Sequence, residues 1–188
     1  MSVNITHVSC IILAGGQGKR VGGQDKGLVL YRNKPLIQHV IDVIKPQVDD
    51  IVISANRNIN MYQQFAKQVK HDTDENYHGP LAGIAACLPL CKHDVVLVVA
   101  CDMPSLPGKL VKRLATGIQG KSACIATINH YHQLAMLIKK NSAVSIQSHL
   151  EKNQLKLIQW VKSMPYTSVS FDDIPEAFVN LNHLSETD

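Results

Sequence analysis

The sequence predicts a single α/β domain, a sheet joined by crossover helices, and three observations carry that expectation. Short β-branched runs alternate with amphipathic segments along the chain, the pattern of strands connected by helices. The runs at residues 8–13 and 94–100 are apolar almost without a break, as strands buried on both faces are. With 188 residues the chain can bury one good core but not two large ones, and no repeat, low-complexity tract or long linker divides it.

Val8-Ser9-Cys10-Ile11-Ile12-Leu13 reads as the first buried strand. Residues 35–45 read as a helix: Leu36, Ile37, Val40, Ile41 and Ile44 recur at helical spacing, and Pro35 suits a first turn. Ile51-Val52-Ile53-Ser54 is the second strand, with a helix after it near residues 59–65. Gly79-Pro80 opens a helix that reaches residue 90 or so. Val95-Val96-Leu97-Val98-Val99 is the strongest buried-strand signal, and residues 108–115 form the helix that follows. Beyond it, 124–128 and 133–138 read as strands paired antiparallel through Asn129-His130-Tyr131-His132. Residues 142–150 and 155–162 read as helices and 178–182 as a last short strand, while 1–6 and 185–188 are expected to be flexible.

Composition excludes several roles. The net charge of +4 is mild and its cations are scattered, which suits a small polyanionic ligand better than a nucleic-acid stripe. Three Phe, five Tyr and one Trp leave few platforms for stacking bases, so no nucleic acid is expected as a partner. No apolar run approaches the ~20 residues that cross a bilayer, so no membrane partner is expected either. The start of the chain lacks the basic and apolar regions of a secretory signal. Five cysteines, an odd number without a C-x-x-C pair, then point to reduced thiols in a cytoplasmic protein.

The segment from Leu13-Ala14-Gly15-Gly16-Gln17-Gly18 through Lys19-Arg20-Val21-Gly22-Gly23 to Gln24-Asp25-Lys26 carries the most information. It leaves the first strand directly. Its glycines open backbone conformations closed to other residues, and successive N–H groups in such a loop make an anion-binding concavity. Lys19, Arg20 and Lys26 surround it with cations, a combination that suits a triphosphate. Two familiar glycine motifs fail on residue identity. The dinucleotide fingerprint would need glycine where Val21 stands, and a P-loop would need Lys-Ser/Thr where Gln24-Asp25 follow Gly23. A plain surface loop is the competing reading, weakened by the position after a buried strand and by the three spaced cations.

Asp102 follows the strongest strand, in Cys101-Asp102-Met103-Pro104. Ligands of open α/β sheets bind beyond the carboxyl ends of strands, and Mg²⁺ takes one or two carboxylates together with phosphate oxygens. Read by itself, Asp102 is equally a turn or capping aspartate ahead of Pro104, and that plainer reading has a slight edge. Asp72 alone reads as a turn former. Gly79-Pro80-Leu81-Ala82-Gly83 reads as a close-packed helix entry that could also bring backbone near a base. Cys87 and Cys91 share a helical face near His93, but Pro89 between them favours core packing over a metal site. His130 and His132 lack further ligands at convincing spacing and read as a surface turn. No Ser or Cys has a catalytic partner in the sequence.

Taken together, Leu13-Ala14-Gly15-Gly16, Gly18, Arg20, Gly22, Lys26 and Asn33-Lys34-Pro35-Leu36 resemble the opening motif of the nucleotidyltransferases that activate sugar phosphates. Within that superfamily the chain resembles the molybdenum cofactor guanylyltransferases. The branch is marked by Gly23-Gln24-Asp25-Lys26-Gly27, Ser54-Ala55-Asn56-Arg57, Gly79-Pro80-Leu81-Ala82-Gly83, Cys101-Asp102-Met103-Pro104 and Phe178-Val179-Asn180-Leu181-Asn182, in family order. The resemblance implies a Rossmann-like three-layer α/β/α domain with a mostly parallel sheet, of the nucleotide-diphospho-sugar transferase type. It implies GMP transfer from GTP to the phosphate of molybdopterin, with Mg²⁺ as cofactor. Leu13, Ala14, Gly15, Gly16, Lys26, Ser54, Asp72, Gly79 and Asp102 would line the nucleotide. Arg20, Lys26 and Asp102 would act in catalysis, Asp102 holding the metal, and Asn180 and Asn182 would face the acceptor. The resemblance further implies a monomer that meets other cofactor-synthesis proteins and delivery chaperones. Departures occur at Val21, at Ser54 (Asn in relatives), after His132, and at Asn153-Gln154-Leu155-Lys156. Other readings are CTP or a sugar or polyol phosphate in the same reaction, and a non-catalytic nucleotide-binding partner in cofactor delivery.

Overall fold

The structure is a computed structural model that describes residues 5–15, 25–71 and 79–181. The elements in chain order are β1 (Ser9–Leu13), β2 (Leu30–Tyr31), β3 (Lys34–Pro35), α1 (Leu36–Ile44), β4 (Asp50–Ser54), α2 (Ile59–Tyr62), β5 (Gln68–Lys70) and α3 (Gly79–Cys87). They continue as β6 (Val95–Ala100), α4 (Leu110–Ala115), β7 (Ala123–Ile128), β8 (Tyr131–Lys139), α5 (Ala143–Glu151), α6 (Leu157–Lys162) and β9 (Tyr166–Ser170). Seven strands form one sheet in the order β5-β4-β1-β6-β8-β7-β9, and β2 pairs with β3 as a small separate ribbon. Every neighbouring pair in the large sheet is parallel except those made by β8.

Alternation along the strands explains the three layers, because successive side chains point to opposite faces. In β1, Cys10 and Ile12 join one core with Ile37, Val40, Ile41 and Ile44 of α1 and Leu110, Val111 and Leu114 of α4. Ile11 joins the other core with Leu81, Ile84 and Cys87 of α3, Ile146 of α5, and Trp160 and Val161 of α6. In β6, Leu97 and Val99 face the first core while Val96 and Val98 face the second. A strand covered on both faces is apolar nearly throughout, and these are, with buried Ser9 at the start of β1 satisfied by donating to Asp50.

Several boundaries differ from the sequence reading for local reasons. Pro35 ends β3 and caps α1 instead of occupying its first turn. The helix expected to reach residue 90 stops at Cys87 and tightens into a 3₁₀ turn over Leu88–Leu90, with Pro89 inside it. The β7–β8 pairing is antiparallel as expected, through a turn in which Asn129 (φ 47°) and His130 (φ 67°) are left-handed. Residues 178–182 were expected as a strand. Instead Pro175–Phe178 is a 3₁₀ turn whose Phe178 packs edge-on against Phe171, with centroids 4.9 Å apart. Its apolar content reports burial, not extended pairing. The last sheet strand is β9, a partly exposed edge segment beside β7. All five cysteines are free and buried, and Cys87 and Cys91 belong to the core, as read. No helix among the described residues is long and apolar enough to cross a membrane.

Candidate active site

The chain travels outward from β1 through β4 to β5, then returns to the other side of β1 as β6. At such a reversal the loops leaving two neighbouring strands diverge, and a crevice opens beyond their carboxyl ends. Here the two loops follow Leu13 and Ala100. The Leu13 carbonyl accepts from the Cys101 amide at 3.1 Å, and the Ala14 amide donates to the Ser54 carbonyl at 2.7 Å. Sheet bonding thus extends past the end of β1 on both sides and delivers Ala14 and Gly15 to the crevice.

Small residues keep the crevice open. Asn56 Nδ2 donates to the Gly15 carbonyl at 3.4 Å, and a Cβ on Gly15 would stand only 3.2 Å from that nitrogen. On α3, a Cβ at Gly83 would come within 2.6 Å of Ser54 Oγ and 3.0 Å of a Leu13 methyl, so glycine alone lets the helix approach. The result is a cleft of about 180 Å³ lined by Leu13, Gly15, Ser54, Gly79, Pro80, Gly83 and Leu134. The Gly79-to-Gly83 segment is thus the close-packed helix entry expected, and Gly79, Pro80 and Gly83 line part of the cleft.

Asp102 and Lys26 meet beside this cleft. Lys26 Nζ donates to Asp102 Oδ2, and the two side chains are only 22% and 13% exposed. Asp102 Oδ1 is buried and has no hydrogen-bond partner among the described residues. An orphaned carboxylate oxygen is costly unless a ligand supplies the missing partner. One oxygen held by a cation and one without a partner among the described residues, beyond the carboxyl ends of β1 and β6, fit a hard divalent ion that shares phosphate oxygens.

Lys26 reaches that position through an anchor the sequence reading passed over. Asp25 accepts from Tyr62 at Oδ1 and from Asn58 Nδ2 at Oδ2 (3.2 Å for the latter), and Asn58 itself is left-handed at φ 51°. A Cβ on Gly27 would strike the Tyr62 hydroxyl at 2.5 Å. The far end of the glycine loop is thereby tied to a fully buried tyrosine. The only sequence signal was Asp25 inside the Gly-Gln-Asp-Lys-Gly motif, since Tyr62 lies 37 positions away. Burial first, then the charges of Asp102 and Asp25, push the Cys101 thiol well up, so it stays protonated and is no nucleophile.

On the other side, the Leu181 amide donates to the Asp102 carbonyl at 3.0 Å. This bond brings exposed Asn180 next to the Asp102 segment across a large sequence separation. Gly16, Arg20, Asp72 and Asn182 lie outside the described residues. Of the other flagged positions, His132 is exposed at the start of β8, where burial of its ring and then Lys162 hold it below the usual imidazole range. Asn153 is left-handed at φ 54° just after α5.

Comparison with known proteins identifies the family and the fold. The profile of the MobA-like NTP transferase domain matches residues 10–164. The molybdenum cofactor guanylyltransferase of Shewanella amazonensis is 43% identical over 179 residues, 94% of this chain and 91% of that protein. The one from Shewanella putrefaciens is 40% identical over 183 residues, 96% of this chain and 94% of that protein. Among solved structures, molybdopterin-guanine dinucleotide biosynthesis protein A from Archaeoglobus fulgidus superposes with a TM-score of 0.74 at 19% identity, covering 95% of this chain and 94% of that one. That likeness fixes the fold, a nucleotide-diphospho-sugar transferase-like α/β/α domain. The matched profile and the two Shewanella proteins place the chain in the MobA-like nucleotidyltransferase family, among the molybdenum cofactor guanylyltransferases.

Proposed function

We propose that this chain transfers GMP from GTP to the phosphate of molybdopterin, forming the guanine dinucleotide cofactor and releasing pyrophosphate. The single observation that carries the reading is the Lys26–Asp102 pair at the crevice, with one Asp102 oxygen lacking a partner among the described residues. An acceptor phosphate oxygen bonds to the α-phosphorus of GTP as the bond from that phosphorus to the pyrophosphate oxygen breaks. No general base is needed, because a phosphate monoester is already largely ionised near neutral pH. In such transfers positioning and charge stabilisation carry the reaction.

The residues divide those tasks. Backbone at Leu13, Ala14, Gly15 and Gly16 cradles the phosphates, and Lys26 with Arg20 stabilises charge as pyrophosphate departs. Ser54, Asp72 and Gly79 border the nucleoside, and Asn180 with Asn182 faces the acceptor. Asp102 would hold Mg²⁺, which when bound would supply polarisation of the phosphoryl oxygens. On this reading the chain works as a monomer in the cytoplasm. Its product would then pass to other cofactor-synthesis proteins or delivery chaperones.

The test is mass spectrometry of the product after incubation with GTP, Mg²⁺ and molybdopterin. The guanine dinucleotide is expected, with stoichiometric pyrophosphate. Equal turnover with CTP, turnover only with a sugar or polyol phosphate, or GTP binding without product would overturn the reading. In the same assay, Lys26→Ala should weaken triphosphate binding more than guanosine binding; equal losses would remove Lys26 from the phosphates.

A further inference from the structure

The sheet has a second cluster at its other end. His7 precedes β1, Asp49 precedes β4, and His93 lies just before β6, three strands that are parallel neighbours with Ser9 registered against Asp50 and Val96. Parallel pairing therefore gathers the three side chains at one edge. One ligand atom from each lies within 4.8 Å of the others. His7 Nδ1 is 3.3 Å from Asp49 Oδ1, and His93 Nε2 is 3.7 Å from both Asp49 Oδ2 and Asp50 Oδ1.

We propose that His7, Asp49 and His93 form a binding site for a zinc-class divalent transition ion, with Asp50 alongside as a further carboxylate. Two donors on one tetrahedral ion, each about 2.0–2.2 Å from it, stand roughly 3.3–3.6 Å apart. His7 Nδ1 and Asp49 Oδ1 stand at that edge length, and His93 Nε2, 3.7 Å from Asp49 Oδ2, lies just outside it. His93 Nε2 is within ion-pair range of both carboxylates but beyond hydrogen-bonding reach of either, so neither fixes the ring by a hydrogen bond. The two imidazoles stack at 5.2 Å and 22°, facing the same carboxylate. An imidazole and carboxylate set selects zinc, nickel or copper over magnesium.

The surrounding contacts orient these donors. The Val8 amide holds Asp49 Oδ2 at 2.8 Å, Ser9 Oγ donates to Asp50 Oδ1 at 2.7 Å, and the His93 amide donates to Ser9 Oγ at 3.0 Å. Outer partners of this kind pre-set a metal site. The five residues of β1, about 3.3 Å each, separate it from the Asp102 end by roughly 16 Å. The ion would thus tie the starts of three strands together without touching the transfer chemistry.

The experiment is zinc titration of the full chain, with excess Mg²⁺ to occupy the Asp102 end, followed by calorimetry and thermal melting. One zinc per chain is expected, with a zinc-dependent rise in Tm. The double variant His7→Gln/His93→Gln should weaken zinc by more than about tenfold, the scale on which even outer-shell partners act, and lose that rise. Unchanged affinity and Tm response in the variant would overturn the site. A zinc-soaked crystal of the unaltered chain provides a check that needs no variant. An anomalous peak between His7, Asp49 and His93 supports it, and a peak elsewhere or none refutes it.

Discussion

The β4-β1-β6 region and the β8-β7-β9 region belong to one sheet yet end in different chemistry. Strands β4, β1 and β6 all run the same way, so each hands the chain to a loop at its carboxyl end. Gly15 and Gly83 keep those loops and α3 from filling the space, and Asp102 Oδ1 has no partner among the described residues. In the other region β7 turns straight back as β8, and the exposed polar groups find one another. The Asn129 amide donates to Asp172 at 2.6 Å, and Arg113 donates to both Asp173 oxygens at 2.9 Å while lying 3.9 Å above the Phe171 ring. Strand ends that feed crossovers leave groups for a ligand; strand ends that close as hairpins satisfy themselves. Activity should therefore be sensitive in the first region and stability in the second.

The largest effect tests the second region. Trp160 is fully buried and donates to Ser145 Oγ at 2.9 Å. Trp160→Ala should cost about 3–5 kcal/mol in denaturant unfolding while turnover per folded molecule stays normal. A large loss of turnover in the folded fraction would break the division. Next comes Asp102→Ala, for which we expect about 100- to 1000-fold slower metal-dependent turnover with an unchanged melting curve, the range seen when one preorganised transition-state contact is removed. Near-normal turnover would return Asp102 to a turn-forming role.

Gly83→Ala sits between the two classes, since its methyl would meet both Ser54 and Leu13. Overpacking there should cost about 1–3 kcal/mol and raise KM for GTP more than it lowers kcat. Unaltered KM would mean the cleft wall is not a nucleotide wall. The smallest effect is a pH dependence. The Asn129 amide, then Ser170, hold the Asp172 carboxyl below the usual carboxylate range, and Arg113 does the same for Asp173. Depressed carboxyls contribute stability above the unfolded pKa and lose it as pH falls through the folded one. Melting curves of Asp172→Asn and of the unaltered chain should therefore differ above about pH 4 and converge below it. Parallel curves throughout would remove this contribution.

The fold was legible where burial wrote itself into local pattern. Residues 8–13 and 94–100 had to be strands covered on both faces, and the spacing of Leu36, Ile37, Val40, Ile41 and Ile44 had to be a helix. It failed at β5 and β9, where short, half-exposed edge strands carry little apolar signal, and at Phe178, where an apolar run marks a buried turn. Within the site, Lys26 and Asp102 were each visible as candidates. Their juxtaposition was not, because 76 positions separate them. Asp25 passed unnoticed because its partner Tyr62 reads as an ordinary core aromatic.

By itself, then, the sequence determined the α/β class, the family, and a short list of candidate residues for the proposed chemistry. Periodicity and residue type act locally, so they survive in one dimension. Only the tertiary structure decided that Lys26 faces Asp102, that Gly83 opens the cleft, and that His7, Asp49 and His93 share one edge. Those meetings come from parallel strand pairing, which joins distant segments in a register set by the packing of both sheet faces.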